Sequence, residues 1–200
     1  MKLAFDFTIS LVLLCFSIPV IAFFSLIVFL EDRRFPFYQH ERIGLNGRTI
    51  KILKIRTMAH NSDNLLLEAL NKDEKLRLKW ENEYKIQNDW RILKSGHFLR
   101  KSKLDELPQL LDVLMGKLSL VGPRPIHPSE IPRFNPRQWN MYISLRPGMT
   151  GVWQIFYGDH MPYQSRFTAL RLYLMKRSFL FDIKIMLLTV PYLFGKKLRT

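Results

Sequence analysis

The chain has 200 residues, enough for one modest domain together with a membrane anchor. Its 31 Lys and Arg residues outnumber 17 Asp and Glu residues, giving a formal net charge of +14. This charge indicates anionic partners, of which nucleic acid, an anionic membrane surface and phosphorylated substrates all fit. The single cysteine, Cys15, excludes an internal disulfide.

Residues 1–32 are predicted to form a membrane-inserted helix. The stretch from Phe7 to Leu30 carries no charge and exceeds the about 20 residues that a helix needs to cross a bilayer. It is also longer than the apolar run of a signal peptide, and no small-residue cleavage site precedes Glu31. Pro19 removes a helical hydrogen bond and predicts a bend, where the Ser17 hydroxyl could bond a freed carbonyl. The residues alone fit a bent span or a re-entrant helix and slightly favour the span.

A β-hairpin is predicted over residues 35–58, after a cytoplasmic exit marked by Arg33 and Arg34. Asn46 and Gly47 are a strong turn signal, and residues 49–53 are rich in strand formers. Lys51, Lys54 and Arg56 could line a substrate cleft, although a solvated strand face is the ordinary interpretation of each lysine.

Residues 62–87 predict two short helices with a structural or membrane-facing role. Ser62 is the candidate cap of the first, and Leu65, Leu66, Ala69 and Leu70 form its apolar stripe. Trp80 and Tyr84 are four residues apart and would share one helix face.

The central feature is an adjacent carboxylate pair, Asp105 and Glu106, inside a basic frame. A helix is predicted to begin near Leu104, since Pro108 is tolerated only in a first turn, and to end at Gly116. Its buried face should carry the leucines at helical spacing, which are Leu104, Leu107, Leu111 and Leu114. The ordinary interpretation is that Asp105 is only an N-cap and Glu106 a first-turn charge.

Two observations favour a chemical role for this pair. The local cations are more than a cap needs, namely Arg100, Lys101, Lys103 and Arg124. Pro123 and Pro125 also fix the backbone around Arg124, which indicates an aimed guanidinium. The helix terminus and the cations are expected to keep Asp105 ionised at neutral pH.

The last third of the chain begins with prolines that preclude a long helix. Turns are predicted at residues 146–148 and 150–151, whose N–H groups could lie against phosphate, and Arg146 is a second candidate phosphate ligand. Residues 163–197 mix basic and apolar side chains and predict helices lying in the membrane interface. The closing Lys196, Lys197 and Arg199 support that interpretation.

Several long blocks, in the right order, resemble the bacterial sugar transferase family, the monotopic phosphoglycosyl transferases. The blocks are residues 98–100, 104–110 and 118–125, flanked by 41–47, 54–58 and 146–154 behind a hydrophobic N-terminus. The resemblance covers nearly the whole chain except about residues 61–88. It departs in two places, since the serine near Pro19 lies one step early at Ser17, and Leu170 occupies a position where the family often has Asp.

The resemblance implies transfer of a sugar phosphate from a UDP-sugar to a polyprenol phosphate such as undecaprenyl phosphate, with release of UMP. Asp105 would be the nucleophile that forms a phosphosugar intermediate, and Glu106 its acidic partner. Both carboxylates would lie at a Mg²⁺ ion. Phosphate-binding roles are expected for Arg124 and further basic residues, which are Arg100, Arg146, Lys54 and Arg56.

The resemblance also favours the re-entrant helix, bent at Ser17 and Pro19, because the family is monotopic. Residues 33–200 would then form a cytosolic catalytic domain on the cytoplasmic face of the bacterial inner membrane. The expected fold is mixed, helix-rich α/β, with a small hairpin and amphipathic interfacial helices around a compact catalytic domain.

Expected partners are a UDP-sugar, a polyprenol phosphate and anionic lipids, with a homo-oligomer possible and no nucleic acid, since no such motif is recognisable. Initiation of lipid-linked glycan assembly, as for exopolysaccharide or lipopolysaccharide, is the expected role. Two alternatives stay open at this point. One is a membrane-anchored basic protein that recruits an acidic partner or nucleic acid, and the other is a hexosyl transferase that releases UDP.

Overall fold

The structure is a computed structural model that describes residues 2–83, 86, 88–158 and 161–193. Its helices are α1 (Lys2–Asp32), α2 (Ser62–Lys72), α3 (Glu74–Glu83), α4 (Lys94–Ser102), α5 (Gln109–Leu114), α6 (Pro136–Ile143), α7 (Ser165–Lys176) and α8 (Phe179–Leu193). Its strands are β1 (Phe37–Ile43), β2 (Thr49–Ile55), β3 (Ser119–Val121) and β4 (Gly148–Thr150). The predicted helix-rich α/β class is confirmed.

Helix α1 is long and apolar enough to cross a membrane, by length and composition. Its buried residues lie near its two ends, Asp6 and Ser10 at one and Ser25 and Val28 at the other. Between them the side chains are exposed or half-buried. Pro19 lies inside the continuous helix, so the bend there stays a prediction.

Strands β1 and β2 form the predicted antiparallel hairpin. Asn46 and Gly47 both adopt left-handed backbone, with φ of 57° and 73°, which confirms the turn. The register pairs Tyr38 with Lys54 and Arg42 with Ile50. Because directly opposed residues share a face, Lys54 and Arg42 project from the same side of the hairpin.

A second, parallel pair joins β3 to β4, with Ser119 opposite Gly148 and Val121 opposite Thr150. Turns were predicted at residues 146–148 and 150–151, but Gly148 and Thr150 belong to strand β4, so the prediction is wrong at these two residues. Gly148 provides close backbone approach, since a Cβ there would lie 2.1 Å from the backbone nitrogen of Gly122. A glycine-rich sequence does not distinguish this packing demand from a turn.

One core joins the hairpin, α5, the parallel pair and helices α6–α8. Its buried members include Ile43, Leu110, Leu118, Trp153 and Ile185. A smaller cluster of Val28, Ile55 and Leu99 packs the end of α1 against β2 and α4. Leu99 of α4 lies in the smaller cluster and Leu110 of α5 lies in the larger one. The segment between them, which contains the carboxylate pair, is therefore anchored at both ends.

The helix predicted to begin near Leu104 is wrong in its start. Leu104–Glu106 is a 3₁₀ turn, and the α-helix begins only at Gln109, after Pro108. Pro108 has no N–H to donate to the carbonyl of Leu104, so the chain keeps the tighter bond from the Leu107 N–H to that carbonyl. Gly116, with φ of 71°, follows the helix as predicted.

The buried face of α5 also differs from the predicted leucine stripe. Leu110 and Val113 enter the core, together with the polar Gln109 and Asp112, whereas Leu111 is 39% exposed. Pro108 separates the 3₁₀ turn from the α-helix, so residues before and after it do not follow one helical repeat. A leucine stripe counted across Pro108 therefore does not mark the buried face of α5.

Two short helices, α2 and α3, confirm the prediction for residues 62–83. Leu66 is the buried residue of α2. The predicted cap is wrong, because Asn61 occupies the N-cap position and its side chain makes no capping bond. The predicted pairing of Trp80 with Tyr84 lies outside the described residues at Tyr84.

Helices α7 and α8 occupy most of the segment predicted to be interfacial. Large apolar side chains are exposed on them, including Met175, Leu180, Leu187 and Val190. Lys196, Lys197 and Arg199 lie outside the described residues. The interfacial position of α7 and α8 stays a prediction.

Candidate active site

The carboxylate pair lies in a turn that two backbone features fix. Lys103 is left-handed, with φ of 61°, and ends α4. The Glu106 N–H then donates to the carbonyl of Lys103, and Pro108 is fully buried. The turn is thereby held between two helices, and neither carboxylate lies at the N-terminus of an α-helix.

Asp105 is buried, with 7% of its surface exposed. Its Oδ2 lies 4.0 Å from the Nζ of Lys54, and its Oδ1 has no hydrogen-bond partner among the described residues. Burial raises the pKa of the Asp105 carboxyl above its usual range, although the charge of Lys54 acts in the opposite direction. The expectation that a helix terminus and cations favour the ionised form of Asp105 omitted burial, which shifts its pKa in the opposite direction.

Glu106 differs from its neighbour in having a close partner. The Nζ of Lys54 donates to its Oε1 at 2.7 Å. Burial by itself would raise the pKa of Glu106, but the charge and the hydrogen bond of Lys54 outweigh it, and the pKa is lowered. The two adjacent carboxyls therefore have pKa values shifted in opposite directions, which is common for groups with different roles in one site.

Arg124 is held by an aromatic ring and by a tyrosine. Its guanidinium stacks over the ring of Trp153, with 4.8 Å from Cζ to the centroid. The buried Tyr142 hydroxyl lies 3.3 Å from the Arg124 carbonyl and accepts from the Ile126 N–H at 3.1 Å. The guanidinium of Arg166 stacks over the same Trp153 ring at 4.9 Å. These contacts agree with the prediction of an aimed Arg124 side chain.

Two clefts meet at Glu106 and Arg124. The hairpin cleft is lined by Arg42, Ile52, Lys54, Glu106, Gln109, Arg124, Pro125, Gly148, Met149 and Gln154. The α8 cleft is lined by Lys103, Glu106, Arg124, Met149, Thr150, Trp153, Gln154, Thr189, Tyr192 and Leu193. They share Glu106, Arg124, Met149 and Gln154. Both clefts therefore reach Glu106, in the turn that also carries Asp105.

The fold thus places Lys54 and Arg124 beside the carboxylate pair, and it places Arg100 close enough for its charge to act on Asp105. The Nε of Arg100 donates to the Thr57 hydroxyl at 2.8 Å, and its charge lowers the pKa of Asp105 among the smaller contributions. Arg100 therefore acts on the carboxylate through its charge.

Arg56 is placed differently from the prediction. Its guanidinium donates to both carboxylate oxygens of Asp32, at 2.5 and 2.6 Å, and to the carbonyls of Phe35 and Met58. It lines neither the hairpin cleft nor the α8 cleft. Its bonds tie the end of α1 to the end of β2, a placement that does not support a phosphate-binding role for this residue.

Arg146 is also placed away from the carboxylates. Its Nε donates to the carbonyl of Gly116 at 3.0 Å, and it lines a separate cleft beside the start of α1. The prediction that Arg146 binds the substrate phosphate at the Asp105 site is therefore not supported by its position.

The sequence analysis missed Arg42, Gln109 and Gln154, all of which line the hairpin cleft. Arg42 could have been found, since it alternates onto the strand face that carries Lys54 in the paired register. Gln109 is buried at the start of α5 and had no distinctive local signal.

The donor set at the pair fits a magnesium ion. The buried Oδ1 of Asp105 accepts no hydrogen bond from any residue that the structure describes, and Glu106 supplies a second carboxylate in the same turn. Magnesium is usually held by one or two carboxylates together with water and substrate phosphates. Across the described ranges no three His, Cys, Asp or Glu side chains cluster, so water and phosphate oxygens would complete the coordination.

The carboxylate pair thus lies beside clefts lined by arginine, in a chain whose first helix is long and apolar enough to cross a membrane. The family model for bacterial sugar transferases matches residues 1–196, and the chain belongs to this family.

Three relatives describe the family further. An undecaprenyl-phosphate galactose phosphotransferase of Salmonella typhimurium is 39% identical over 83% of this chain and 34% of its own length. A UDP-galactose-lipid carrier transferase of Erwinia amylovora is 38% identical over 95% of this chain and 39% of its own length. The exopolysaccharide production protein ExoY of Sinorhizobium fredii is 37% identical over 95% of this chain and 84% of its own length. The chain thus spans less than two fifths of the first two relatives and most of the third.

Proposed function

We propose that the protein transfers a sugar 1-phosphate from a UDP-sugar to a membrane polyprenol phosphate and releases UMP. The observation that carries this proposal is the buried Asp105 carboxylate, whose Oδ1 has no hydrogen-bond partner in the described ranges, in a turn that meets two clefts through Glu106, both of them lined by Arg124. The names of the relatives, a UDP-galactose-lipid carrier transferase and an undecaprenyl-phosphate galactose phosphotransferase, supply the substrate class. UDP-galactose is accordingly the first donor to test.

In the first half-reaction, a carboxylate oxygen of Asp105 attacks the β-phosphorus of the UDP-sugar. The bond from this phosphorus to the bridging oxygen breaks, and UMP leaves with that oxygen and the electron pair. The sugar phosphate stays on Asp105 as an acyl phosphate. A raised pKa gives the ionised carboxylate greater basicity than an exposed aspartate.

In the second half-reaction, a phosphate oxygen of the polyprenol phosphate attacks the same phosphorus. The acyl phosphate bond breaks and the Asp105 carboxylate is regenerated, leaving the sugar on a polyprenol diphosphate. Arg124 neutralises charge on the phosphate oxygens in both steps, and Lys54 holds Glu106 in place through their 2.7 Å bond. A magnesium ion bound by Asp105 and Glu106 would supply further positive charge to those oxygens.

The two clefts suggest separate approaches for the two substrates. The hairpin cleft contains the polar side chains of Arg42, Lys54 and Gln109 and suits the nucleotide-sugar. The α8 cleft contains Trp153, Tyr192 and Leu193, which the hairpin cleft lacks, and lies beside the exposed apolar side chains of α8, where an isoprenoid chain would leave the bilayer. We therefore assign the donor to the hairpin cleft and the acceptor to the α8 cleft.

We further propose that α1 enters and leaves the membrane on one face. Near its start, Asp6 accepts from the Ser119 hydroxyl at 2.6 Å. At its end, Glu31 accepts from the Lys94 N–H at 2.6 Å and Asp32 binds Arg56. A spanning helix would place these two sets of contacts on opposite sides of a hydrocarbon core about 30 Å thick, although both bind one domain. A re-entrant helix keeps both sets on the cytosolic side.

A single cysteine tests this topology. In a Cys15→Ser background, Lys2→Cys should react with an impermeant maleimide in intact inverted vesicles, which expose the cytosolic face. Labelling only from the periplasmic side would show that α1 spans the bilayer.

The test of the reaction uses the full chain in detergent with UDP-galactose, undecaprenyl phosphate and Mg²⁺, with UMP and UDP resolved. UMP release supports phosphosugar transfer, whereas UDP release would establish hexosyl transfer. Without acceptor, labelled UMP should exchange into UDP-galactose, because the first half-reaction is reversible through the Asp105 adduct. Failure of a panel of UDP-sugars to give either product would favour a binding protein.

A further inference from the structure

The cleft that contains Arg146 is a second feature of the molecule, separate from the active site. It has a volume of about 390 Å³ and lies between the start of α1, β3, the loop after α6 and the end of α7. Its charged lining residues are Lys2, Asp6, Arg146 and Arg177. None of the residues that line it lines the hairpin cleft or the α8 cleft. We name it the amino-terminal cleft.

The cations of this cleft are arranged to bind an anion. Lys2 is paired with carboxylates, since its Nζ lies 2.5 Å from Asp182 and 3.8 Å from Asp6. The bond from the Arg146 Nε to the Gly116 carbonyl fixes that guanidinium in the wall, and Arg177 is exposed at the rim. The two arginines provide the planar donor groups that suit a phosphate.

The same cleft contains a buried acceptor that lacks a donor. Asp6 is only 4% exposed, and its Oδ2 accepts from the Ser119 hydroxyl at 2.6 Å. Its Oδ1 has no hydrogen-bond partner in the described part of the chain. The Lys2 ammonium lies 3.8 Å from this oxygen, which is too far for a hydrogen bond. A buried carboxylate oxygen without a hydrogen-bond donor is unfavourable, so a ligand that brings a hydroxyl or an ammonium group would relieve it.

One exposed apolar side chain lines the cleft, and two more lie close to its rim arginine in the sequence. Leu3 lines it and is exposed. Met175 and Leu180, on either side of Arg177 in the sequence, are 78% and 77% exposed. Phe5 and Phe179 meet edge to face with centroids 4.8 Å apart, which joins the start of α1 to the start of α8. A charged cleft with an apolar rim is the arrangement that a headgroup and its acyl chains require.

We propose that the amino-terminal cleft binds one glycerophospholipid. Its phosphodiester lies against Arg146 and Arg177, its headgroup hydroxyl or ammonium donates to Oδ1 of Asp6, and its acyl chains follow Leu3, Met175 and Leu180. The required chemistry is therefore a phosphate together with a hydrogen-bond donor. Phosphatidylglycerol and phosphatidylethanolamine have both groups, whereas phosphatidylcholine has the phosphate without a donor. This proposal does not depend on the reaction proposed above.

The test is lipid retention by the full chain. The protein is exchanged into nanodiscs of phosphatidylcholine that contain equal fractions of phosphatidylethanolamine and phosphatidylglycerol, and lipids that remain bound are counted by native mass spectrometry. We expect one retained molecule of a donor-bearing lipid, enriched at least tenfold over phosphatidylcholine. Arg146→Gln with Arg177→Gln should abolish the enrichment. Arg137→Gln, which removes an exposed charge on α6, is the matched control and should leave it unchanged.

Further arms identify the ligand and guard against misfolding. Arg177→Gln alone changes an exposed side chain, should keep the melting temperature of the wild type, and should still lower retention severalfold. Asp6→Asn should lose phosphatidylethanolamine more than phosphatidylglycerol, because a neutral acceptor still suits a hydroxyl. Equal retention of phosphatidylcholine, or unchanged retention in folded Arg177→Gln, would overturn the proposal. Displacement of the lipid by millimolar inorganic phosphate would show a free-phosphate site instead.

Discussion

Two buried aspartates seven positions apart have opposite environments. Asp112 in α5 is 0% exposed, and its oxygens accept from the Leu53 N–H at 2.7 Å and from Lys117 at 3.0 Å. Asp105 is almost as buried, but within the described part of the chain its ion pair with Lys54 is 4.0 Å long and its Oδ1 has no hydrogen-bond partner. Hydrogen bonds offset the cost of burying the Asp112 carboxylate, whereas the cost of burying Asp105 is not offset in this way. The first pattern is typical of a structural group and the second of a functional group.

Two arginines show the same contrast. Arg56 has an ion pair with Asp32 and bonds to backbone carbonyls, all of which hold α1 to the hairpin. Arg124 stacks on Trp153 and lines both clefts at Glu106. In each pair of like residues, one member makes contacts that stabilise the fold, and the other lies at the candidate site.

The largest effect is expected from Asp105→Asn. The amide cannot attack phosphorus, so UMP release should fall by a factor on the order of 1,000 or more. The melting temperature should stay equal or rise, because a costly buried charge is removed. Activity within a few-fold of wild type would remove Asp105 from the nucleophile's role. Glu106→Gln should be severely impaired too, yet retain the attacking atom.

Asp112→Asn should show the opposite pattern. It breaks the partly buried ion pair with Lys117 and leaves one acceptor oxygen where there were two, for a loss of up to about 3 kcal/mol, which corresponds to a melting temperature lower by up to roughly 6–12 °C. Thermal unfolding followed by circular dichroism measures the loss. The activity per folded molecule should stay within about twofold of wild type, and a purely catalytic defect would contradict the comparison.

The arginine pair gives a smaller, reciprocal prediction. Arg124→Lys removes the planar fork and should lower kcat/KM by roughly 10–100-fold while the melting temperature stays unchanged. Arg56→Lys should lower the melting temperature and leave kcat/KM of the folded protein near that of wild type. The two variants are measured side by side. Near-normal activity of Arg124→Lys would show that Arg124 has only a structural role.

The smallest effect concerns pH. Catalysis needs ionised Asp105, so the rate should fall as the pH drops through the raised pKa of this group. The charge of Lys54 lowers that pKa, so Lys54→Gln should raise it and move the acid limb of UMP exchange to higher pH. Lys101→Gln, which removes an exposed charge at the end of α4, is the control. If the acid limb of the pH–rate profile is unchanged in Lys54→Gln, this lysine does not set the pKa of Asp105.

Features that depend on near neighbours in the chain were predictable. The apolar run gives α1, Asn46 and Gly47 give the hairpin turn, and Gly116 ends α5, because each signal arises within a few residues. The adjacent carboxylates, the prolines around Arg124 and the family motifs likewise pointed to the site before any fold was known.

Tertiary structure decided which of the similar residues act together. Sequence could not separate Arg56 and Arg146 from Arg124, because their partners, Asp32, Gly116 and Trp153, lie 24 to 30 positions away. Nor could it give the separate environments of Asp105 and Asp112, since burial and the Leu53 donor arise only when α5 packs against β2. Residue type determined the chemistry that was available, and long-range packing determined where each charge was neutralised and where one was left for a ligand.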